Sequence, residues 1–236
     1  MEVRTRQKPF RASCLMKAGI SAAYTAGQIM NLAPIVLGSV LTGSTTVTPA
    51  STTGIRNGMT VVGTLGLTAG YTVSNLTSTT FTVSAAATAT SAATTLTFTA
   101  TDLPKFDLSA FVPPGGTVEI NSIEAHSSAG ASAIKLAPTV FLYSTSAVQT
   151  TVSNGTALTP SFDTQSTYCE ARVVLTSAAA SFSNAGASAT TTYANELTRR
   201  ANVDANSCLH MAAMDTNTYL YSSTETIKFV MKGLVL

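Results

Sequence analysis

The side chains that most often carry catalysis or bind metals are few and scattered in this 236-residue chain. His126 and His210 lie far apart in the sequence, and Cys14, Cys169 and Cys208 have no close spacing. A structural zinc site normally draws its ligands from close pairs, and the chain has no nucleophile elbow of the kind that presents a catalytic serine. We therefore predict no catalytic residues, no metal site and no cofactor, and we interpret the cysteines as buried, inert thiols.

The surroundings of the two histidines predict structural positions for both. His126 is followed by a polar, small-residue stretch, which favours a loop. His210 lies between Leu209 and Met211, and this alternation of apolar and polar residues favours a strand.

The composition predicts an all-β protein that is kept soluble mainly by hydroxyl groups. Charged residues make up 10% of the chain, well below the quarter or so found in an average soluble domain. Thr and Val are abundant, whereas the helix-favouring Glu, Lys, Gln and Arg are scarce. The longest apolar run, residues 32–41, has about half the length that crosses a bilayer. We expect no membrane span, and we take Met1 as the start of a chain without a signal peptide.

A change of composition divides the chain into a body and an insert. Residues 43–101 are nearly all Thr, Ser, Ala, Gly and Val, and Arg56 is the one charged residue among them. Spaced apolar residues in this segment, such as Phe81 and Phe98, predict short strands and exclude a linker. We predict a small β domain at 43–101, inserted into a β-sandwich or jelly-roll-like body formed by residues 18–42 and 102–236.

The body contains several more specific signals. In the last segment, Ile227, Phe229 and Met231 face one way, and Lys228 and Lys232 face the other. A change of parity near residue 121 predicts a β-bulge or a change of face, and the proline at 138 predicts an edge strand or a bulge. Residues 191–203 are interpreted as a short helix or a loop.

The first 17 residues form a cationic segment. They contain five of the 13 basic residues and one of the 11 acidic residues, so their formal charge is +4 and that of the remainder is −2. Because we recognise no apolar periodicity here, we expect an extended arm that is ordered by an anionic partner surface. The alternatives are a solvated tail and contact with DNA phosphates. Phe10 and Leu15 interrupt the charges and favour a protein partner.

Two sets of motifs resemble virion proteins of tailed bacteriophages. The stretch "GMTVVGTLGLTAGYTVSNLTSTTFTVSAAATATSAATTLTF" at residues 58–98 resembles a small β module that recurs in phage structural proteins. The shared features are a Gly-Met start, a Gly-rich turn, an AGxTV step, a TxFTVSxAATAT strand and turn, and an LTF close. The segments "AAYTAGQIMN", "GGTVEINSIEAHSS", "LAPTVFLYST", "DTQSTYCEARVVL" and "TYLYSSTETIKFVMKGL" are similar to small phage structural proteins with a jelly-roll-like sandwich.

The resemblance implies a structural role in the virion. We expect a capsid decoration, or cement, protein that is made in the bacterial cytoplasm, binds the major capsid protein on the capsid surface and forms a homo-oligomer, for which a trimer at local threefold positions is the expected form. The alternative is a tail appendage or receptor-binding protein whose insert binds carbohydrate, for which Tyr219 and Tyr221 are candidates. A cell-surface adhesin module is weakened by the missing signal peptide. The residues predicted to dock on the capsid are Arg4, Arg6, Lys8, Phe10, Arg11, Leu15 and Lys17.

Overall fold

Nearly every regular element in the computed structural model is a β-strand, which confirms the all-β prediction. The structure describes residues 7–19, 22–24, 27–128, 138–150, 152, 154–175, 190–194, 197–215, 219–221 and 225–236. Within them, the chain forms two antiparallel sheets of a sandwich, a two-stranded sheet and a closed barrel.

The first sheet of the sandwich joins the two ends of the chain. β1 (Lys8–Lys17) pairs antiparallel with β17 (Thr226–Val235), and β17 pairs with β10 (Thr117–Ser127). On its other side, β10 pairs with both β13 (Thr190–Ala194) and β14 (Arg199–Asn202). In the described part of the chain, β1 is therefore an edge strand.

The second sheet has four strands in the order β12, β11, β15 and β9. These strands are Cys169–Val174 (β12), Pro138–Tyr143 (β11), Cys208–Asp215 (β15) and Lys105–Asp107 (β9). A separate pair consists of β2 (Ala22–Tyr24) and β16 (Tyr219–Tyr221), which carries the two tyrosines considered above; their side chains lie outside the described part. The two sheets bury one apolar core between them, to which β1 contributes four residues with alternating spacing: Phe10, Ala12, Cys14 and Met16.

A short helix, α1 (Phe162–Tyr168), precedes β12. The hydroxyl oxygen of Ser161 caps it by accepting a hydrogen bond from the backbone N–H of Thr164. Such a cap satisfies one of the N–H groups that the first turn of a helix leaves without a partner. Among the described residues, no helix has the length and apolar character needed to cross a bilayer.

The barrel lies between β2 and the second sheet in the sequence and closes in the order β3, β4, β7, β6, β5 and β8. Its strands are Ile35–Val40 (β3), Thr46–Pro49 (β4), Thr60–Gly63 (β5), Tyr71–Ser74 (β6), Phe81–Val83 (β7) and Ser91–Thr99 (β8). Inward residues alternate with outward Thr and Ser, and the rings of Phe81 and Phe98 meet edge to face with centroids 5.6 Å apart. The barrel includes β3, which the composition change places in the body, because β3 pairs with β8.

Several local predictions can be compared with the strands of the body. The pairing of β10 with β17 shifts between Ile120 and Ser122, which confirms a bulge near residue 121. The prediction of a helix or loop at 191–203 is wrong for much of this segment, because β13 and β14 pair with β10 there. The prediction of an edge strand or a bulge at Pro138 is also wrong. Pro138 is the first residue of the interior strand β11, a position at which a missing N–H is tolerated.

Candidate docking surface

The cationic segment is a strand of the chain's own fold and not a separate arm, as far as the structure describes it. Lys8–Lys17 pairs residue by residue with β17, from Lys8 opposite Val235 to Lys17 opposite Thr226. The expectation that a partner surface orders this segment is thus wrong for residues 8–17. Arg4 and Arg6 lie outside the described residues. The signal that we missed is a period of two, which buries the even-numbered residues 10–16 of β1.

Strand geometry separates the predicted docking residues into two groups. Phe10 is 4% exposed and packs beside Phe111, with ring centroids 6.3 Å apart, so its side chain is committed to the sandwich core. Arg11 and Leu15 are exposed on the opposite face of β1, where Lys17 is half-buried. Lys8 is exposed at the start of the strand.

The register of the sheet adds cations from other strands to this outer face. Residues that lie directly opposite each other on paired strands share one face of the sheet. Arg11 lies opposite Lys232, and Leu15 lies opposite Lys228. Across β10, Arg200 of β14 lies opposite Glu119. We call this the basic sheet face and define it by five cations: Arg11, Lys17, Lys228, Lys232 and Arg200.

Two carboxylates on the same face offset part of this charge. Lys232 donates a hydrogen bond to Glu124, and His126 contacts the same carboxylate at 3.2 Å. Burial by itself raises the pKa of Glu124, but the hydrogen bonds from Lys232 and His126 outweigh burial and hold it below its ordinary value. With Glu119 included, five cations face two carboxylates, so the described face keeps a positive charge.

From the sequence, we predicted Arg11 and Lys17 as docking residues, but not Lys228, Lys232 or Arg200. The parity of Lys228 and Lys232 was predicted, and the structure confirms that both point away from the core. We did not predict that Lys228 and Lys232 lie near Arg11, because this depends on the pairing of the first strand with the last.

The histidines and cysteines have structural surroundings. His126 lies in β10, so the prediction of a loop is wrong, whereas His210 lies in β15 as predicted. All three cysteines are free, and Cys14 and Cys208 are buried. Burial raises the pKa of each thiol, which keeps them protonated and weakly nucleophilic at neutral pH. Among the described residues, no group of three or more His, Cys, Asp or Glu side chains is placed to hold a metal ion.

Comparisons with known proteins add no identification. The chain matches no family model and no curated protein sequence.

Proposed function

We propose that this protein is a structural subunit of a tailed-bacteriophage particle, which decorates the capsid and joins neighbouring major-capsid subunits. The motifs at residues 58–98 and in the body support a phage origin through their resemblance to virion proteins. The observation that carries the docking role is the basic sheet face, where Arg11, Lys17 and Lys228 have no ion pair within 4 Å among the described residues.

The basic sheet face gives the proposal a physical mechanism. Cations on the solvent-facing side of a rigid sheet match an acidic patch on a partner, and complementary charges speed association and fix the register more than they add affinity. Leu15, which is 37% exposed between Arg11 and Lys17 on the strand, supplies an apolar contact. Each copy buries a modest area, and many such contacts repeated over a symmetric shell resist the pressure of packaged DNA.

The partner that we expect is therefore an acidic patch on the outer surface of the major capsid protein. A homotrimer at local threefold positions suits this role, because identical copies then meet the lattice through equivalent faces. DNA is the less favoured partner, since the outer face of the sheet also carries Glu119 and Glu124, which phosphates would repel.

The barrel is suited to a role as a rigid, uncharged module. A closed barrel has no free strand edges that could pair with other chains. Its surface is rich in Thr and Ser, and Arg56 is the one charged residue in 43–101.

The barrel's aromatic residues count against the alternative of a carbohydrate-binding insert. Residues 43–101 contain three aromatic residues, Tyr71, Phe81 and Phe98, which are 7%, 1% and 4% exposed. None of them offers the exposed ring face on which a sugar could stack. The outer wall of the barrel therefore supports a structural module better than a receptor-binding head.

The number of copies in purified particles tests the proposal. Sites on a capsid lattice recur hundreds of times, whereas most tail positions recur about a dozen times or fewer, because symmetry sets the number of equivalent sites. Quantitative mass spectrometry of virions, with the major capsid protein as internal standard, measures this ratio. We expect hundreds of copies. About a dozen copies would support a tail location, and absence from the particle would refute a role in the virion.

A further inference from the structure

Strand β1 has one long side without a partner strand in the described part of the chain. It pairs with β17 on its other side and forms the edge of the first sheet. An edge strand presents a row of backbone N–H and C=O groups with which another extended chain can pair. The groups on this open side, and the side chains beside them, therefore define what can bind there.

The hydrogen-bond pattern identifies which residues of β1 face the open side. In an antiparallel pair, residues that exchange hydrogen bonds alternate with residues whose N–H and C=O groups point away from the partner strand. The N–H of Ala18, one residue beyond β1, donates to the backbone oxygen of Glu225 at 2.8 Å. The next residue, Thr226, faces β10 instead, because its backbone oxygen accepts from the N–H of Ser128 at 2.9 Å. The even-numbered residues of β1 are therefore bonded to β17, and the odd-numbered ones face the open side.

The open side of β1 is limited at both ends. Pro9 has no N–H group to offer at the first end. At the other end the barrel packs against the strand, since a Cβ atom at Gly54 would lie 2.9 Å from the backbone nitrogen of Lys17. Between these ends lie the exposed, odd-numbered residues whose backbone groups have no backbone partner among the described residues: Arg11, Ser13 and Leu15.

The side chains beside the open side favour an acidic segment. On a strand added there, every second side chain lies on the outer face of the sheet, opposite Arg11, Ser13 and Leu15. This is the basic sheet face, to which Lys228 and Lys232 contribute from β17, one strand further in. Carboxylates at alternate positions of the added strand therefore meet cations, and the backbone pairing sets their register.

The other side chains of an added strand meet a different surface. They lie on the face of β1 that carries the buried Ala12 and Cys14. Small or branched apolar residues fit beside these positions, because the face leads into the core of the sandwich. The segment that fits the open side therefore alternates acidic and apolar residues.

A second copy of β1 is a poor occupant of the same place. Two β1 strands paired with each other would join the basic sheet faces of both copies into one continuous surface. The cations Arg11, Lys17 and Lys228 would then lie near their own counterparts, and like charges on neighbouring strands are destabilising. An acidic strand replaces this repulsion by attraction.

We propose that the open side of β1 binds an extended, acidic segment of the partner as an additional antiparallel strand, in keeping with the pairing in the rest of the sheet. The N–H groups of Arg11, Ser13 and Leu15 donate to carbonyl oxygens of the segment, and their own carbonyl oxygens accept from its N–H groups. This inference rests on the proposed docking role of the basic sheet face and specifies the chemistry of the segment that docks there.

A synthetic peptide of about seven residues that alternates Glu and Val, with both ends capped, is the probe, because it matches the length of the open side. Calorimetric titration of the full-length protein at low salt measures binding. We expect a Kd of about 1 mM or tighter. A peptide with Lys in place of every Glu tests the charge and should bind at least about tenfold more weakly.

Methylation of the peptide's backbone nitrogens separates strand pairing from simple charge attraction. The Glu residues lie opposite Arg11, Ser13 and Leu15, so their N–H groups face β1, whereas those of the Val residues point away. Methylation at two Glu residues should weaken binding at least about tenfold, because two hydrogen bonds are lost. Methylation at two Val residues keeps the charge and these bonds, and should weaken binding by less than about threefold.

A substitution in β1 tests the same contact from the side of the protein. Ser13→Pro removes one N–H from the open side and spares the bonds to β17, and proline is tolerated in edge strands. Ser13→Ala is the matched control, because it keeps the N–H. We expect Ser13→Pro to weaken peptide binding about tenfold and Ser13→Ala to bind like the wild type. Circular dichroism checks the fold of both variants, and the methylated peptides decide the proposal if Ser13→Pro does not fold.

The proposal is overturned if the Glu-Val peptide does not bind, if the Lys-Val peptide binds as tightly, or if methylation at Glu has no greater effect than methylation at Val. Co-sedimentation with empty phage shells distinguishes this failure from failure of the capsid role. Shell binding that is equal in Ser13→Pro and the wild type would refute strand addition and leave the capsid role standing. Peptide binding with the expected methylation pattern, but no binding to shells, would support strand addition and refute the capsid as the partner.

Discussion

Nη2 of Arg56 donates a hydrogen bond of 2.6 Å to Oδ1 of Asn31 and so links the barrel to the sandwich. Asn31 is fully buried, and its Nδ2 donates to the backbone oxygens of Asp102, at 2.9 Å, and Val152, at 2.7 Å. The backbone N–H of Asn31 donates to Oδ1 of Asn154. Arg56, the one charged side chain in residues 43–101, therefore completes a buried hydrogen-bond network between the barrel and the sandwich.

Replacing Arg56 with Met should destabilise the protein by about 1–3 kcal/mol, because Oδ1 of Asn31 would remain buried without its donor. Urea unfolding followed by circular dichroism measures the loss. The exposed Arg199 provides the matched control, since Arg199→Met removes the same group from a solvated position. Equal stability of the two variants would show that the Arg56–Asn31 contact contributes nothing to the fold.

Gly233→Ala should cost at least about 2 kcal/mol, because the pairing of β1, β17 and β10 leaves no room for a side chain at this position. A Cβ atom there would lie 2.0 Å from the backbone oxygen of Glu119 and 2.8 Å from Cε1 of Phe10. Thermal and urea unfolding of the variant measure the effect.

Gly43→Ala is the control for this substitution. Gly43 has a φ of +79°, and a Cβ atom added there would have no neighbour within 4 Å, so the control isolates the backbone cost of about 1 kcal/mol. If Gly233→Ala were no worse than the control, the close packing of Phe10 over Gly233 would be refuted.

The strands that could be predicted from the sequence are those whose own residues alternate between apolar and polar. Phe81 and Val83, and likewise Leu96 and Phe98, are buried with outward Thr between them, because a period of two fixes which face each side chain occupies. The barrel boundary was harder to predict, because Ile35–Val40 belongs to the barrel only through its pairing with β8. No local pattern records such a long-range pairing.

The candidate docking surface shows the same limit. Lys228 and Lys232 were predicted to face outward from their parity alone. Their position beside Arg11 depends on the register between the first and last strands, which single-strand patterns do not encode. The prediction for residues 8–17 was wrong for another reason: the buried positions that follow Phe10 include the small residues Ala12 and Cys14, so the alternation is weak as a sequence pattern.

Acidification should destabilise the protein through Asp204. Burial by itself raises the pKa of Asp204, but hydrogen bonds from His210 and from the backbone of Cys208 and Asn206 outweigh burial and lower it below its ordinary value of 3.8. As the pH falls, the Asp204 carboxylate is therefore protonated at a higher pH in the unfolded chain than in the folded chain. The stabilisation is complete well above pH 3.8 and is lost as the pH falls from there through the lower, folded pKa.

The urea midpoint measured between about pH 6 and pH 2 tests this dependence. Asp204→Asn should be less stable than the wild type near neutral pH and should show a shallower decline in acid. Asp163→Asn, on the exposed side of α1, is the control and should follow the wild-type profile. If the urea midpoint of Asp204→Asn fell as steeply in acid as that of the wild type, other carboxylates would account for the acid sensitivity.

Reversing charge on the basic sheet face should abolish capsid docking while leaving the fold intact. The double variant Arg11→Glu, Lys228→Glu changes two outward side chains on neighbouring strands. We expect its affinity for empty phage shells to fall by at least about tenfold, and wild-type binding to weaken at high salt. Deletion of residues 1–17 is unsuitable for this test, because it would remove β1 and four core residues.

Arg199→Glu is the matched control for the charge reversal, since Arg199 is exposed but lies opposite Ile120, outside the basic sheet face. Co-sedimentation with shells measures binding, and circular dichroism confirms the β-sheet content of each variant. Equal loss in the control would indicate a nonspecific charge effect. If the protein bound duplex DNA in a salt-sensitive manner and did not bind shells, the partner would be nucleic acid and not the capsid. The same cations would then neutralise phosphates.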